Sequence, residues 1–188
     1  GSRFENRPHF TTVKALLINS AKQYEFSGLT HDRTRVHQGW GFPNAKGLYD
    51  ARKKILVVNE ESVLKLTQTD SYELEVAEGE AELKVTLVYA DPEATISASL
   101  HRVNDLDLKV TAPDGTSYWG NPGLRANLYS QPGGEANKID TVENVFVKAP
   151  MVGKWTVEVT AAEVNADGHL ETADMDVDYA LVASGVKK

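Results

Sequence analysis

The side chains with the clearest capacity for chemistry are acidic and lie in the second half of the chain. Asp105 and Asp107 stand two residues apart in an alternating apolar and polar run. A strand there would project both carboxylates from one face, about 7 Å apart. Asp140 and Glu143 follow a long stretch rich in Gly and Pro, and Asn121 opens that stretch with an amide oxygen. Calcium prefers oxygen donors of these kinds, so the sequence predicts a calcium site formed by Asp105, Asp107, Asp140, Glu143 and Asn121.

A solvated acidic face explains the same residues equally well, and the spacing alone does not decide between the two interpretations. A second acidic series, Asp174, Asp176 and Asp178, does not have the spacing of an EF-hand loop. We interpret this second series as the solvated face of a strand.

The bulk composition limits the classes of partner. The 188 residues include 20 Lys and Arg against 27 Asp and Glu, a net charge of −7. This balance argues against nucleic acid and anionic membranes as partners. The apolar runs are also far shorter than the roughly 20 residues that cross a bilayer. The sequence has no cysteine, which excludes thiol catalysis, disulfides and Cys-based zinc sites.

The elements that must position these residues change in character near position 54. The spacing of apolar residues predicts a helix over 11–23, with Thr11 and Thr12 as available N-caps, then a surface loop over 24–37 and a short helix over 45–52. From position 55 onward, short alternating runs separated by turn residues are typical of a β-sandwich or barrel. The predicted strands are 55–58, 62–67, 72–76, 82–89, 105–112, 116–119, 142–148, 153–162 and 175–183. The stretch 121–137 is too long for a tight turn and is predicted to be a functional loop.

Several segments resemble the subtilisin-like serine proteases (subtilases, peptidase family S8). The segments VKALLINSA at 13–21 and QGWG at 38–41 are similar to the stretch that closes a subtilase catalytic domain. Further along, four segments resemble the C-terminal β-domain of the oxidatively stable alkaline protease group: VNEES at 58–62, VNDLDL at 103–108, TAPDGT at 111–116 and VENVFV at 142–147. The segments 105–115 and 153–155 are more loosely similar to the P domain of proprotein convertases.

The resemblance implies a mainly β protein, a jelly-roll β-sandwich over 55–188, preceded by a helical remnant of an α/β catalytic domain over 1–54. Gly1 and Ser2 are typical of the scar left by removal of a purification tag. The resemblance also implies secretion, calcium binding and partnership with the parent's own catalytic domain and protein substrates. One departure weakens the calcium site, because Gly134 to Ile139, with Lys138 among them, replaces the family's Asp-rich loop.

The resemblance implies no catalysis by this chain. In chain order, the Asp, His and Ser of a subtilase all precede the helix at 11–23. Ser117 follows Gly115 and Thr116 as the nucleophile does in the family, but a Pro-Asp-Gly turn and the following Tyr-Trp pair predict a strand there. The histidines are interpreted as solvated side chains: His9, His31, His37, His101 and His169.

The predicted role is stabilisation of the protease domain, and the alternative is a carbohydrate- or surface-binding jelly-roll module attached to a protease. The tryptophans bear on this choice. Trp155 is predicted to lie in the core and Trp40 to pack against the catalytic domain. Trp119 is open between two interpretations, packing in the core or a loop, which is favoured, and stacking on a sugar ring. A stripe of Val13, Leu16 and Leu17 on the first helix would lack its partners, so the segment should either dock on its own β-domain or pair with another copy. We expect self-association through residues 1–54.

Overall fold

The computed structural model describes residues 7–28 and 33–187. Gly1, Ser2 and His31 lie outside the described residues. Three helices come first, α1 (Phe10–Ser20), α2 (Arg35–Gln38) and α3 (Ala45–Ala51). Eight strands follow: β1 (Ile55–Leu64), β2 (Thr69–Val76), β3 (Glu82–Val88), β4 (Asp105–Thr111), β5 (Ser117–Trp119), β6 (Val142–Lys148), β7 (Gly153–Glu163) and β8 (Val177–Ser184). Within the described ranges, no helix has both the length and the apolar character needed to cross a membrane.

The strands form two antiparallel sheets of four strands each. The first sheet has the order β1-β8-β3-β6 and the second the order β2-β7-β4-β5. Consecutive strands lie in alternate sheets, except that β4 and β5 lie in the same sheet. This is the topology of a jelly roll. The predicted jelly-roll β-sandwich preceded by a short helical segment is therefore confirmed.

The core between the sheets is formed by the alternating residues that the sequence predicted. Leu83, Val85 and Leu87 of β3 are fully buried, and they face Leu106 and Leu108 of β4 across the sandwich. The other large side chains of this core include Trp155, Val157, Val159, Tyr179 and Leu181. Burial on one face and polarity on the other follow from the two-residue period of a strand.

One predicted break between strands is absent. The runs at 55–58 and 62–67 form the single strand β1, which keeps its pairing with β8 on both sides of an irregularity between Asn59 and Val63. Glu60 lies inside the irregularity with φ of 56°, a conformation that side chains other than Gly seldom adopt. A β-bulge of this kind bends the strand without ending it, so sequence turn signals there do not mark a strand end.

The helix α1 lies on the outer face of the first sheet, against β8, β3 and β1. Its buried face is formed by Thr11, Thr12, Ala15 and Asn19, whereas Val13 and Leu17 are 41% and 44% exposed. Of the predicted apolar stripe, only Leu16 packs against the sheet, whereas Val13 and Leu17 face outward. Small and polar residues allow the helix to approach Ala180 and Val182 of β8 closely, and these side chains form a second small core with Ala15.

Polar contacts fix both ends of α1. At its start, Asn59 Oδ1 accepts hydrogen bonds from the backbone N–H of His9 (3.0 Å) and from Thr12 Oγ1 (2.7 Å), and the Glu60 carboxylate contacts His9 and Thr11. The N-cap is His9. Thr11 and Thr12 thus lie in the first turn and do not cap the helix, in contrast to the prediction. The bulge of β1 places its polar side chains where the free N–H groups of the helix begin.

Near the end of the helix, Asn19 connects α1 to the sheet. Its side-chain amide lies 3.0 Å from Lys84 O, 3.1 Å from Thr86 Oγ1 and 3.2 Å from Val182 O. Its carbonyl oxygen accepts a hydrogen bond from Ser184 Oγ at 2.7 Å. Because Asn19 is only 2% exposed, bulk water cannot replace these hydrogen bonds if the side chain is removed.

We expect Asn19→Ala to lower the free energy of unfolding by about 1–3 kcal/mol, because it leaves buried polar groups of β3 and β8 unpaired. Urea denaturation measures this loss, and hydrogen exchange should show faster opening of residues 10–20. Lys14→Ala is the matched control on the exposed face of the same helix. Equal stability of the two variants would contradict the anchoring role.

Candidate functional site

The acidic residues of β4 occupy two different environments. Asp105 is 1% exposed and Asp107 is half-buried, so neither belongs to a fully solvated face. The Oδ1 atoms of both carboxylates are buried without a hydrogen-bond partner among the described residues. Buried carboxylate oxygens of this kind require compensation by a proton or a cation.

Glu143 of β6 points between the sheets and is fully buried. Its Oε2 accepts a hydrogen bond from the backbone N–H of Leu108 at 2.8 Å, while Leu108 O accepts from the N–H of Gly120 at 2.9 Å. Beyond the end of β5, the Glu143 carboxylate therefore replaces the backbone carbonyl that a longer strand would offer to the Leu108 N–H. A Cβ at position 120 would lie 2.1 Å from Oε2, so only Gly fits beside this carboxylate. Its other oxygen, Oε1, has no partner among the described residues.

Burial is the main cause of the unusual acidities in this cluster. It raises the pKa of Glu143 to about 9, and the nearby charges of Asp107, Asp105 and Asp140 act in the same direction. Burial and the charge of Asp105 raise the pKa of Asp107 to about 6. The pKa of Asp105 is also raised by burial, although Arg102 acts in the opposite direction. At neutral pH the cluster thus disfavours its own full ionisation.

Arg102 is a member of the site that the sequence analysis missed. It is buried, its Nε donates to Lys138 O at 2.6 Å and lies 3.6 Å from Asp105 Oδ1, and both Nη atoms lie 3.3 Å from Glu163 Oε2. The only signal for Arg102 in the sequence was the position of a cation three residues before Asp105. Lys138, which interrupts the acidic loop, lowers the pKa of Asp105 and Asp107 and so acts as a second counter-charge.

Two of the five predicted ligands have other partners. Asp140 Oδ2 accepts hydrogen bonds from the side-chain amides of Asn121 (3.2 Å) and Asn137 (2.6 Å). Asn121 Oδ1, the oxygen proposed for calcium, accepts the backbone N–H of Asn144 at 2.9 Å. These groups hold the ends of the long β5–β6 loop together. Asp105, Asp107 and Glu143 are the three that carry unpartnered oxygens.

The donor set has the chemistry of a hard-cation site but not a closed cage. Over residues 7–28 and 33–187, no three side chains of His, Cys, Asp or Glu are arranged to hold a metal ion together. A calcium ion would need backbone carbonyls or water to complete its six to eight oxygen ligands. The Oδ1 atoms of Asp105 and Asp107 and the Oε1 atom of Glu143 accept no hydrogen bond from the described residues, so each is available as a single ligand to such an ion.

The sequence predicted that the second acidic series is a solvated face, but its three carboxylates differ in exposure. Asp176 is 3% exposed and accepts a hydrogen bond from Thr172 Oγ1 at 3.1 Å, with His169 Nδ1 at 3.3 Å. His169 and His9 thus have acidic partners, Asp176 and Glu60 respectively, so the interpretation of both as merely solvated is wrong. The Thr172 hydroxyl bonds the carboxylate and not the imidazole, which is not the order of a nucleophile, base and acid.

The strand prediction for Ser117 is confirmed, because the residue opens β5 and pairs with Thr111 of β4. Trp155 is a core residue, as expected, and its Nε1 donates to Met151 O at 2.8 Å. Trp40 packs edge-on against Phe146 with ring centroids 6.3 Å apart, so it contacts the β-sandwich itself. Trp119 is half-buried, with the Lys109 ammonium 5.7 Å from the centre of its ring.

Comparison with known proteins gives little further guidance. No protein family and no curated protein matches the sequence. Among solved structures, the periplasmic inhibitor of g-type lysozyme, PliG, from Aeromonas hydrophila is 19% identical with a TM-score of 0.36, over 70% of this chain and 86% of PliG. The CspB protease of Clostridium perfringens is 11% identical with a TM-score of 0.37, over 72% of this chain and 26% of CspB. Similarity this distant carries no argument about function.

The raised pKa of Glu143 predicts a loss of stability with rising pH. The folded chain retains a proton that the unfolded chain has already released above about pH 4.5, so the free energy of unfolding falls until the pH reaches about 9. In the presence of a chelator, we expect a slope of about 1.4 kcal/mol per pH unit between pH 6.5 and 8.5. Urea denaturation at several pH values measures this slope.

Glu143→Gln should remove most of this slope, because the amide keeps an acceptor for the Leu108 N–H and cannot ionise. Glu78→Gln, in the exposed turn after β2, is the control and should leave the slope intact. A wild-type slope near zero, or the same slope in Glu143→Gln, would contradict the assignment.

Proposed function

We propose that this chain is a non-catalytic C-terminal part of a secreted subtilisin-like serine endopeptidase, and that it packs against and stabilises the protease domain. The subtilase-like segments at 13–21 and 38–41 and the four β-domain segments support this parentage. The observation that carries the packing role is an excess of exposed apolar side chains on the N-terminal layer, residues 7–28 and 33–54.

Eight large apolar side chains of the N-terminal layer are exposed, against nine in residues 55–187, a stretch about three times as long. On α1, Phe10 is 69% exposed and lies on the helix face of Val13 and Leu17, at spacings of three and four residues. The other five of the eight are Tyr24, Phe26, Val36, Phe42 and Tyr49. Concentrated apolar exposure of this kind is typical of a surface that another protein body covers.

The alternative, a glycan-binding module, has less support. Its candidate residue, Trp119, is half-buried, and Lys109 lies over its ring. The adjacent Tyr118 stacks on Trp155 of the core with ring centroids 6.2 Å apart. An exposed aromatic platform for a sugar ring needs an open ring face, which these contacts reduce.

Calcium is a further proposed component, and Asp105, Asp107 and Glu143 are its candidate protein ligands, one or two at a time, with backbone carbonyls and water completing the coordination. The ion would neutralise carboxylates whose burial otherwise favours protonation, and this would stabilise the strand end of β4 in an extracellular medium. The unpartnered oxygens are the support for this proposal.

We expect the substitutions Phe10→Asp and Leu17→Asp, made in the whole protease, to accelerate its thermal inactivation several-fold, because they place charges in the proposed contact. Ile96→Asp is the matched control, since Ile96 is fully exposed on a loop of the β-sandwich. Residual activity after heating measures the effect. Unchanged inactivation in the first two variants would contradict the packing role.

The same exposed residues would mediate the predicted self-association of the isolated chain. Deletion of residues 1–54 would also uncover Val88, Ala180 and Val182 on the sheet, so Leu17→Asp is the cleaner substitution. Sedimentation over a wide concentration range should show association of the wild type and a weaker tendency in this variant.

Calcium saturation at about 100 times the dissociation constant should add roughly 2.7 kcal/mol to the free energy of unfolding, if the ion binds only the folded chain. Thermal denaturation in chelator and in millimolar calcium measures this gain. Asp107→Asn should remove most of it, whereas Asp174→Asn, an exposed carboxylate near β8, should not. A melting temperature insensitive to calcium in the wild type would contradict the site.

A further inference from the structure

A groove lies between the N-terminal layer and the long β5–β6 loop. It consists of two hollows of about 420 Å³ and 240 Å³, and Arg35 lines both of them. The larger is bordered by α1 and by the loop residues Leu124 and Arg125, and the smaller by Gln23, Tyr129 and their neighbours. We call the two hollows together the basic groove.

The charge of the basic groove is opposite to that of the whole chain. Its described lining residues include six cations and two carboxylates, although the chain has a net charge of −7. The cations are Lys14, Lys22, Arg33, Arg35, Lys84 and Arg125, and the carboxylates are Glu82 and Asp140. An uneven distribution of this kind creates a local positive potential that attracts anions.

Both carboxylates of the groove are already engaged. Glu82 accepts a hydrogen bond from Tyr129 at 2.6 Å and lies 3.3 Å from Lys84 Nζ. Asp140 is held by the side-chain amides of Asn121 and Asn137. Arg33 contacts Glu25, and both of these side chains are exposed. The positive excess is therefore available to a ligand.

Arg35 is the residue that most clearly lacks an anion. Its guanidinium lies 5.0 Å from the ring centre of Trp40 and 5.2 Å from that of Phe146, and its Nη1 contacts Gly39 O and Trp40 O at 3.4 and 3.3 Å. Its Nε is buried and has no hydrogen-bond partner among the described residues. Burial lowers the pKa of Arg35 to about 10, a sign that the cation has lost solvent without gaining a carboxylate.

The walls of the groove also contain apolar side chains. Ile18, Leu124 and Val142 line the larger hollow, and Leu128 and Phe146 line the smaller one. A sulfated glycan or a nucleic acid strand would satisfy the cations but would leave these apolar walls uncovered. A polypeptide can supply both kinds of contact from successive side chains.

We propose that the basic groove binds an acidic peptide segment in which carboxylate side chains alternate with apolar ones. Arg125 would bind a carboxylate in the two-pronged manner of the guanidinium group, and Arg35 would bind one through Nη2, while apolar side chains enter the hollows beside them. This proposal concerns the groove of this chain alone and does not depend on its role beside a protease.

The test uses the whole chain and a fluorescein-labelled hexapeptide in which glutamate alternates with leucine. Fluorescence anisotropy should show saturable binding that weakens as salt rises, because the contacts are ionic. The double variant Lys14→Glu and Arg125→Glu should weaken binding at least tenfold. Both side chains are exposed, so the melting temperature should remain that of the wild type.

The double variant Lys154→Glu and Lys65→Glu is the matched control, since these side chains are 73% and 54% exposed, do not line the groove and give the same total change of charge. It should bind the peptide as the wild type does. A peptide with glutamine in place of glutamate should not bind. The proposal is overturned if the wild type shows no saturable binding, if the double variant of the groove binds equally well, or if a heparin disaccharide of similar charge binds more tightly than the peptide.

Discussion

The burial of strand β8 on both faces is the constraint on which the rest of the structure depends. Val177, Tyr179 and Leu181 fill the core between the sheets, while Ala180 and Val182 point outward beneath α1. A strand that is apolar on both faces needs a layer on each side. The second sheet supplies one layer, and the N-terminal helix supplies the other, which joins residues 7–28 and 33–54 to the jelly roll.

The way in which α1 covers β8 determines the surfaces that the molecule presents. Because Ala180 and Val182 are small, the helix packs closely through Ala15 and uses Asn19 for polar anchoring. Its larger side chains then face outward, including Phe10 and Leu17. The same placement sets α1 beside the β5–β6 loop and so forms the basic groove. The proposed protease contact and the proposed peptide site are thus both consequences of one packing arrangement.

The carboxylate cluster is a consequence of the short length of strand β5. Strand β5 has only three residues, and beyond its end Glu143 supplies the acceptor that β4 requires at Leu108. This arrangement needs Gly120 beside it and places a carboxylate in the core, where its charged form is disfavoured. A proton or a cation can relieve the cost, so the stability of this region is tied to the pH and to the ions of the medium.

The sequence by itself predicted most of the strands and their inward faces, since alternation and turn residues depend on local chemistry and act within a few positions. The jelly-roll class was implied by the resemblance to subtilase β-domains, and the strand order confirms it. It also identified Asp105, Asp107 and Glu143, because acidic residues in apolar runs stand out without a structure. Only the tertiary structure decided which carboxylates are buried. It also decided that Asn121 Oδ1 accepts a hydrogen bond from the backbone N–H of Asn144, and that Arg102 lies beside Asp105. It likewise decided that α1 packs through Thr11, Thr12, Ala15 and Asn19, because the residues of β8 that contact the helix lie more than 150 positions away. Long-range pairings of this kind leave no periodic trace in the sequence.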